Sequence, residues 1–199
     1  MTKLTLSILK SIYFLTYLLN QPKLVHIKSQ KQNVRHTMIF IYIPLLLVVS
    51  CSNTNQFNWS SINNIIDNKF PGVKNIYIKQ LKKLLSTNPN TIIIDVRQPD
   101  EFNVSHLKNS INIYKINSFV TRFPDKNKTY IIYCSVGYRS GNMVFNLKKL
   151  GYSNAYNLRG GIFQWVNNGN PVYHNRKLAN RVDPYNQNWG KLLDEKYNP

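Results

Sequence analysis

The chain has 199 residues, 43% of them hydrophobic, which is enough for one ordinary core, so we expect one domain with extensions. Its formal net charge is +18, because 26 Lys and Arg residues stand against 8 Asp and Glu residues. The basic residues are scattered, without a block of about five or six, and a nucleic-acid partner is therefore not expected.

The cysteines and histidines argue against a disulfide framework and against a metal site. The chain has 2 cysteines, Cys51 and Cys134, in very different surroundings, so a disulfide framework is not expected. Its 4 histidines are isolated, and the sequence contains neither a CxxC pair nor a Cys/His cluster. The pattern therefore predicts no metal site and no cofactor.

A short apolar segment lies near the start of the chain, with the sequence MIFIYIPLLLVV at residues 38–49. A transmembrane helix needs about 20 apolar residues, so this segment has instead the length of a signal-peptide core. Ser50 and Cys51 follow it directly, and small residues before a cysteine resemble the lipobox of bacterial lipoproteins. The resemblance implies that Cys51 is lipidated and becomes the mature N-terminus. The domain is then anchored at the cell envelope of a bacterium, facing the periplasm or the exterior.

Two alternatives stay open for this region. The first is an ordinary signal or anchor helix that happens to end at a cysteine. The second concerns the start of translation, at Met1 or at Met38. A start at Met38 leaves the signal without a Lys or Arg of its own, and residues 1–37 are then not translated. With the earlier start, residues 4–19 are a candidate first membrane segment.

The composition divides the chain into four regions. Residues 1–51 form the leader with its signal peptide and lipobox, and the Asn- and Ser-rich residues 52–72 are predicted to be a polar tether. The folded domain is predicted at residues 73–171, and residues 172–199 form a short C-terminal extension with several aromatic side chains. The extension either packs on the domain or binds a partner, and packing is favoured.

Short apolar runs alternate with short amphipathic segments through residues 73–171. The predicted strands are residues 75–78, 91–96, 110–113, 129–133 and 154–158. The predicted helices are residues 79–86, 99–104, 117–123, 140–150 and 161–168. This alternation predicts an α/β fold with a central parallel sheet of about five strands and helices on both faces. Ligands of such folds bind at the carboxyl ends of the strands.

Cys134 follows the predicted strand at residues 129–133 and begins a small polar loop. Backbone N–H groups of such a loop can point at the sulfur, Gly137 permits a positive φ, and the following helix adds its own N–H groups. This arrangement stabilises a thiolate or a persulfide, both of which are anions, so Cys134 is the candidate nucleophile. The alternative is a core cysteine without chemistry.

The other candidate site residues lie in the loop or at a neighbouring strand end. The predicted substrate-binding loop consists of Ser135, Val136, Gly137, Tyr138, Arg139 and Ser140. Arg139 either supplies fixed positive charge or braces the loop by bonding to Asp95 or to loop carbonyls. Asp95 and Arg97 are predicted to be supporting residues at the end of the strand at residues 91–96.

Several motifs occur in the order and spacing of one family. They are Ile94-Asp95-Val96-Arg97, Glu101-Phe102, His106-Leu107, Ser110-Ile111-Asn112-Ile113, Tyr133 to Ser140, Gly151-Tyr152, and Leu158-Arg159-Gly160-Gly161 followed by Trp165. On these motifs, residues 73–171 resemble a single rhodanese (sulfurtransferase) domain.

The resemblance implies a reaction for Cys134. It takes a sulfane sulfur from thiosulfate, a persulfide or a polysulfide, holds it as Cys–S–S⁻, and passes it to a thiol, or to cyanide in vitro. Ser135 stands where many members of the family have Arg or Lys, which weakens the expectation that the donor is thiosulfate. The implied partners are therefore a small sulfur donor and a thiol acceptor, besides a membrane reached through Cys51.

Two other classes of function stay open. Related phosphatases use a Cys-x5-Arg loop, because tetrahedral phosphate needs a wider cradle, whereas only four residues separate Cys134 from Arg139. A non-catalytic rhodanese-like binding domain is the other alternative, although inactive members typically lack the cysteine. The physiological donor and acceptor and the oligomeric state stay open.

Overall fold

The computed structural model describes residues 58–198 of the chain. The predicted signal segment and the lipidation site Cys51 lie outside the described residues. Within residues 58–198, no helix is both long enough and apolar enough to cross a bilayer.

A five-stranded parallel sheet lies at the centre of the domain. Its strands are β1 (Asn75–Ile76), β2 (Ile92–Asp95), β3 (Ile111–Asn112), β4 (Tyr130–Tyr133) and β5 (Ala155–Leu158). They are arranged in the order β1-β5-β4-β2-β3, and each neighbouring pair is parallel. This confirms the predicted fold class. β4 is the middle strand, and all of its residues are buried.

Helices connect the strands and cover the sheet. They are α1 (Trp59–Lys69), α2 (Ile78–Thr87), α3 (Pro99–Val104), α4 (Ile116–Arg122), α5 (Tyr138–Lys149) and α6 (Gly161–Asn167). Most bounds lie within one or two residues of the predicted ones. α5, predicted from residue 140, begins at Tyr138, because Gly137 already forms its N-cap with a φ of +102°. Arg139 therefore lies in the first turn of a helix rather than in a loop.

Alternate residues of the central strands point to two different cores. Ile93 and Ile131 face a core that includes buried residues of α1, α2, α6 and the C-terminal extension. Ile94 and Ile132 face a second core that is closed by α4 and α5. A strand buried on both faces reads as a continuous apolar run, which is the pattern from which β2 was predicted.

Helix α1 lies where the sequence predicted a polar tether, and that prediction is wrong for residues 59–69. Asn58 caps the helix by accepting from the Ser61 N–H at 3.0 Å. Ile62 and Ile66, four residues apart, are buried in the first core. Arg159 also ties the helix to β5, through an ion pair with Asp67 at 2.6 Å. The folded domain therefore begins near residue 58 rather than residue 73.

The C-terminal extension packs on the domain, as favoured from the sequence. It contains the antiparallel hairpin β6 (Val172–His174) and β7 (Lys177–Ala179), the short helix α7 (Gln187–Gly190) and a 3₁₀ turn at Glu195–Tyr197. Val182, Leu192 and Leu193 are buried in the first core. The extension thereby adds apolar contacts that a disordered tail would lack.

Candidate active site

Cys134 lies directly after β4, at the carboxyl edge of the sheet. Its side chain is 1% exposed, and it forms no disulfide. The Gly137 N–H donates to the Cys134 sulfur at 3.2 Å, and the Ser140 hydroxyl lies 3.5 Å from the same sulfur. The predicted approach of a loop amide to the sulfur is therefore present at Gly137.

Helix α6 holds the loop in this conformation. The Ile162 and Phe163 N–H groups donate to the carbonyls of Cys134 and Ser135, at 2.9 Å and 3.0 Å. These bonds turn the two carbonyls toward α6, so that the amide of Gly137 faces the sulfur. The approach is so close that a Cβ at Gly161 would lie 2.2 Å from the Cys134 carbonyl oxygen. Only glycine fits at that position.

The N-terminus of α5 is directed at the same sulfur. The first N–H groups of a helix have no intrahelical acceptor, and the helix dipole places partial positive charge at that end. α5 has 12 residues, and Lys148 and Lys149 lie in its last turn, where cations complement the dipole. Negative charge at the Cys134 sulfur is therefore favoured by the backbone itself.

A buried chain of polar side chains lies beneath the sulfur. The Ser140 hydroxyl donates to Asn157 Oδ1 at 2.7 Å, and Asn157 Nδ2 donates to Asn75 Oδ1 at 3.0 Å. This chain fixes the Ser140 hydroxyl next to Cys134. Asn157 was not predicted from the sequence, where it stands as an ordinary strand residue in β5.

Arg139 forms its ion pair with Glu101, not with Asp95. Its two terminal nitrogens lie 2.6 Å and 2.7 Å from the Glu101 carboxylate, and one of them also donates to the Ser135 hydroxyl at 2.9 Å. The expected bond to Asp95 is absent because Arg97 already holds that carboxylate. The sequence named Glu101 only as part of a motif; its place in the first turn of α3 brings it to the loop.

The pKa values of this pair agree with a permanent ion pair. Burial alone would raise the pKa of Glu101, but hydrogen bonds and positive charge from Arg139 lower it below its ordinary value. Burial alone would lower the pKa of Arg139, but the Glu101 carboxylate and negative charge at Cys134 raise it. Both side chains are therefore charged across the physiological pH range, and each compensates the other.

Asp95 and Arg97 form a second, fully buried ion pair that supports the site from outside it. Both side chains are 0% exposed, and Arg97 Nη2 lies 2.8 Å from the Asp95 carboxylate. Arg97 Nη2 also donates to the Ser105 carbonyl, at 2.5 Å. These contacts join β2 to the end of α3, the helix that carries Glu101. Neither residue forms a hydrogen bond with the Cys134 sulfur, and the supporting role stays a prediction.

A cavity of about 250 Å³ lies next to Cys134. It is lined by Cys134, Ser135, Val136, Tyr138, Arg139, Tyr185 and Trp189. Tyr185 and Trp189 belong to the C-terminal extension and were not predicted as site residues. The sequence showed them only as aromatic residues in a segment of weak periodicity.

Together, the fold and the site define a class: an α/β domain with one cysteine at the end of its central strand, facing the N-terminus of the next helix. Residues 77–168 match the family model of the rhodanese-like domain, so this part of the chain is a rhodanese-like domain. The predicted resemblance is thus confirmed.

Named sulfurtransferases are among the relatives. The chain is 28% identical over 136 residues to the thiosulfate:glutathione sulfurtransferase of Saccharomyces cerevisiae, covering 61% of this chain and 93% of that protein. It is 33% identical over 97 residues to the probable adenylyltransferase/sulfurtransferase MoeZ of Mycobacterium tuberculosis, covering 47% of this chain. The chain spans 24% of the length of MoeZ.

One further relative is named for a reaction other than sulfur transfer, and one solved structure is similar to this chain in fold alone. The tRNA uridine(34) hydroxylase of Prochlorococcus marinus is 37% identical over 95 residues, which cover 41% of this chain and 30% of that protein. The solved thiosulfate sulfurtransferase of Pseudomonas aeruginosa has a TM-score of 0.51 at 19% identity, covering 67% of this chain and 26% of that chain.

Proposed function

We propose that this protein is a sulfurtransferase that carries a sulfane sulfur on Cys134 and delivers it to a thiol acceptor. One observation carries the proposal: the Cys134 sulfur accepts from the Gly137 amide at the N-terminus of α5 and borders a cavity. That position favours an anion of one or two sulfur atoms. The relatives named sulfurtransferases support the same reaction class.

The reaction consists of two displacements at sulfur. The Cys134 thiolate attacks the outer sulfur of the donor, and the bond between that sulfur and the rest of the donor breaks. The electron pair leaves with the donor fragment, as sulfite from thiosulfate or as a thiolate from a persulfide. The acceptor thiolate then attacks the outer sulfur of Cys134–S–S⁻, forms a new persulfide and releases the Cys134 thiolate.

The position of Arg139 argues against the phosphatase alternative. A loop that binds phosphate needs its arginine directed at the anion. Here the Arg139 guanidinium is held by Glu101 through two contacts of 2.6 Å and 2.7 Å. Moving it would leave the buried Glu101 carboxylate without its partner. The loop is also one residue shorter than the phosphatase spacing, in keeping with a ligand of the size of a sulfur atom.

Loading of Cys134 with sulfur tests the proposal directly. We expect the full chain, purified in detergent and incubated with thiosulfate or with glutathione persulfide, to gain the mass of one sulfur atom on the peptide that contains Cys134. Subsequent cyanide should release thiocyanate and restore the original mass. If no donor produces either signal, the enzyme proposal is wrong. Phosphate release from an aryl phosphate would instead favour the phosphatase reading.

We also propose that Cys51 is lipidated and anchors the domain on the outer side of a bacterial membrane. The support is the apolar core at residues 38–49, followed directly by Ser50 and the cysteine. Two or more acyl chains hold a soluble domain stably at a bilayer. Cys134 is then the single free thiol of the mature chain.

Replacing Cys51 tests the anchor. We expect Cys51→Ala to move the protein from the membrane fraction to the soluble fraction of cells that express the full chain, because no acyl chain can be attached. Cell fractionation with immunodetection measures the shift. Cys134→Ala serves as the control for the loss of a cysteine and should stay in the membrane fraction. Retention of Cys51→Ala in the membrane would mean that another segment anchors the protein.

A further inference from the structure

The cavity next to Cys134 is built from two distant parts of the chain. One side is the loop and the first turn of α5, including the ring of Tyr138. The other side is the C-terminal extension, which contributes the rings of Tyr185 and Trp189. These rings lie beyond residues 77–168, which match the family model. Aromatic rings thus border the cavity on both sides.

The extension holds these rings by specific turns. The Tyr185 N–H donates to Asp183 Oδ1 at 2.7 Å, and Tyr185 has a φ of +65°, which is uncommon for a residue with a side chain. Asn186 caps α7 by accepting from the Asn188 and Trp189 N–H groups, both at 3.1 Å. A turn that keeps an unfavourable φ holds the Tyr185 ring at the cavity although the residue is 56% exposed.

The extension is also anchored to the rest of the domain. Asn167, at the end of α6, donates to the Leu192 carbonyl at 2.8 Å and accepts from the Asp194 N–H at 3.0 Å. The Ser105 hydroxyl donates to the Arg181 carbonyl at 2.8 Å on the other side of the rings. The segment that carries the two rings is therefore fixed at both of its ends, and it lies beside the same α6 that holds the Cys134 loop.

The charges around the cavity do not suit a dianion. Among the described residues that line it, Arg139 carries the one cationic side chain. Its charge is compensated by Glu101, and its guanidinium lies over the Tyr185 ring at 5.0 Å. Thiosulfate would bring two negative charges next to the Cys134 thiolate without a matching cation. A donor with one negative charge and an apolar body would instead bury surface against the rings.

We infer that Tyr185 and Trp189 form a specificity wall that selects sulfur donors with an apolar, above all aromatic, body and a single negative charge. This inference rests on the sulfur transfer proposed above and names its donor class. Arylthiosulfonates and aryl persulfides have this chemistry. With benzenethiosulfonate, the Cys134 thiolate attacks the outer sulfur, the S–S bond breaks, and benzenesulfinate leaves with the electron pair. One negative charge then resides on Cys134–S–S⁻ and one on the sulfinate.

Three donors separate size from charge. Benzenethiosulfonate and methanethiosulfonate are both monoanions and differ in their body, whereas thiosulfate is a dianion. We would measure kcat/KM of the full chain for each donor and divide it by the rate of the same donor with 2-mercaptoethanol, which removes intrinsic reactivity. We expect the normalised preference for benzenethiosulfonate over methanethiosulfonate to be about tenfold or more, as for other apolar pockets.

Variants at the wall decide whether Tyr185 causes the preference. Tyr185→Asn removes the ring and tolerates a positive φ, so we expect it to lower the preference at least about fivefold. Tyr185→Phe keeps the ring and should keep the preference. Tyr77→Asn is the matched control, because Tyr77 is 55% exposed and does not line the cavity. The Tyr77→Asn variant should therefore have the same donor preference as the natural protein.

A binding measurement separates this inference from the proposed reaction. Benzenesulfinate should bind the natural protein more tightly than methanesulfinate in titration calorimetry, and Tyr185→Asn should lose that difference whether or not sulfur is transferred. Equal normalised rates for the two monoanions, or a preference unchanged in Tyr185→Asn, would overturn the wall while leaving sulfur transfer intact. Selective sulfinate binding without loading of Cys134 would support the wall and overturn the transfer reaction.

Discussion

Cys134→Ser is expected to lower sulfur transfer by at least about 10³-fold, as removal of a catalytic nucleophile does in other enzymes that form covalent intermediates. A serine hydroxyl is far less acidic than a thiol, and at neutral pH it provides no anion that can attack the donor sulfur. The backbone of the site should persist, because the Gly137 amide can donate to an oxygen as it does to sulfur. Thiocyanate release and the mass of the Cys134 peptide measure the loss.

Ser140→Ala is the matched control for this change. It removes a hydroxyl that lies 3.5 Å from the sulfur and donates to Asn157, but it keeps the thiol. We expect only a partial loss, about tenfold, because the buried Asn157 oxygen loses its donor next to the sulfur while the thiol is kept. If Cys134→Ser keeps more activity than Ser140→Ala, the nucleophile lies elsewhere.

Asp95→Asn should strongly destabilise the fold, lowering the free energy of unfolding by about 3–5 kcal/mol. The physical reason is the guanidinium of Arg97, which is 0% exposed and would lose the carboxylate 2.8 Å away. An uncompensated charge inside a protein is poorly solvated, and domains of ordinary size have only about 5–15 kcal/mol of stability. Urea unfolding followed by tryptophan fluorescence measures the change.

Two further variants decide whether burial of the charge is the cause. Asp67→Asn removes the acid of the Arg159 ion pair. Arg159 is 7% exposed, but Asp67 is 57% exposed and water screens the pair, so we expect a smaller loss of about 1–2 kcal/mol. Replacing both partners, as Asp95→Leu with Arg97→Met, should restore at least half of the loss, because no buried charge then remains. An Asp95→Asn loss no greater than that of Asp67→Asn would contradict this account.

The sheet and the cysteine loop were predictable because local chemistry determines them. β2 and β4 are almost continuous apolar runs, and such runs flanked by turn residues are typical of strands buried on both faces of a parallel sheet. Gly137 could likewise be expected to take a positive φ, because a tight turn before a helix requires it.

The parts that were not predicted depend on contacts that are distant in sequence. Helix α1 has a polar composition, and its two buried isoleucines become a hydrophobic face only once the sheet is present. The partner of Arg139 is Glu101, 38 residues earlier, and sequence alone offered Asp95 as an equally reasonable carboxylate. Tyr185 reaches the cavity because Asn167 fixes the extension across 25 residues, which no local pattern shows.

The two sides of the cavity come from segments that can vary in sequence independently of each other. The cysteine, its amide donor and the helix that holds them lie within residues 77–168, whereas the rings of Tyr185 and Trp189 come from a separate stretch at the end of the chain. Substitutions in that stretch can therefore alter the shape of the cavity while every hydrogen bond to Cys134 is kept. The proposed reactivity and the proposed selectivity therefore reside in different segments, so natural variation or engineering can adjust one without rebuilding the other.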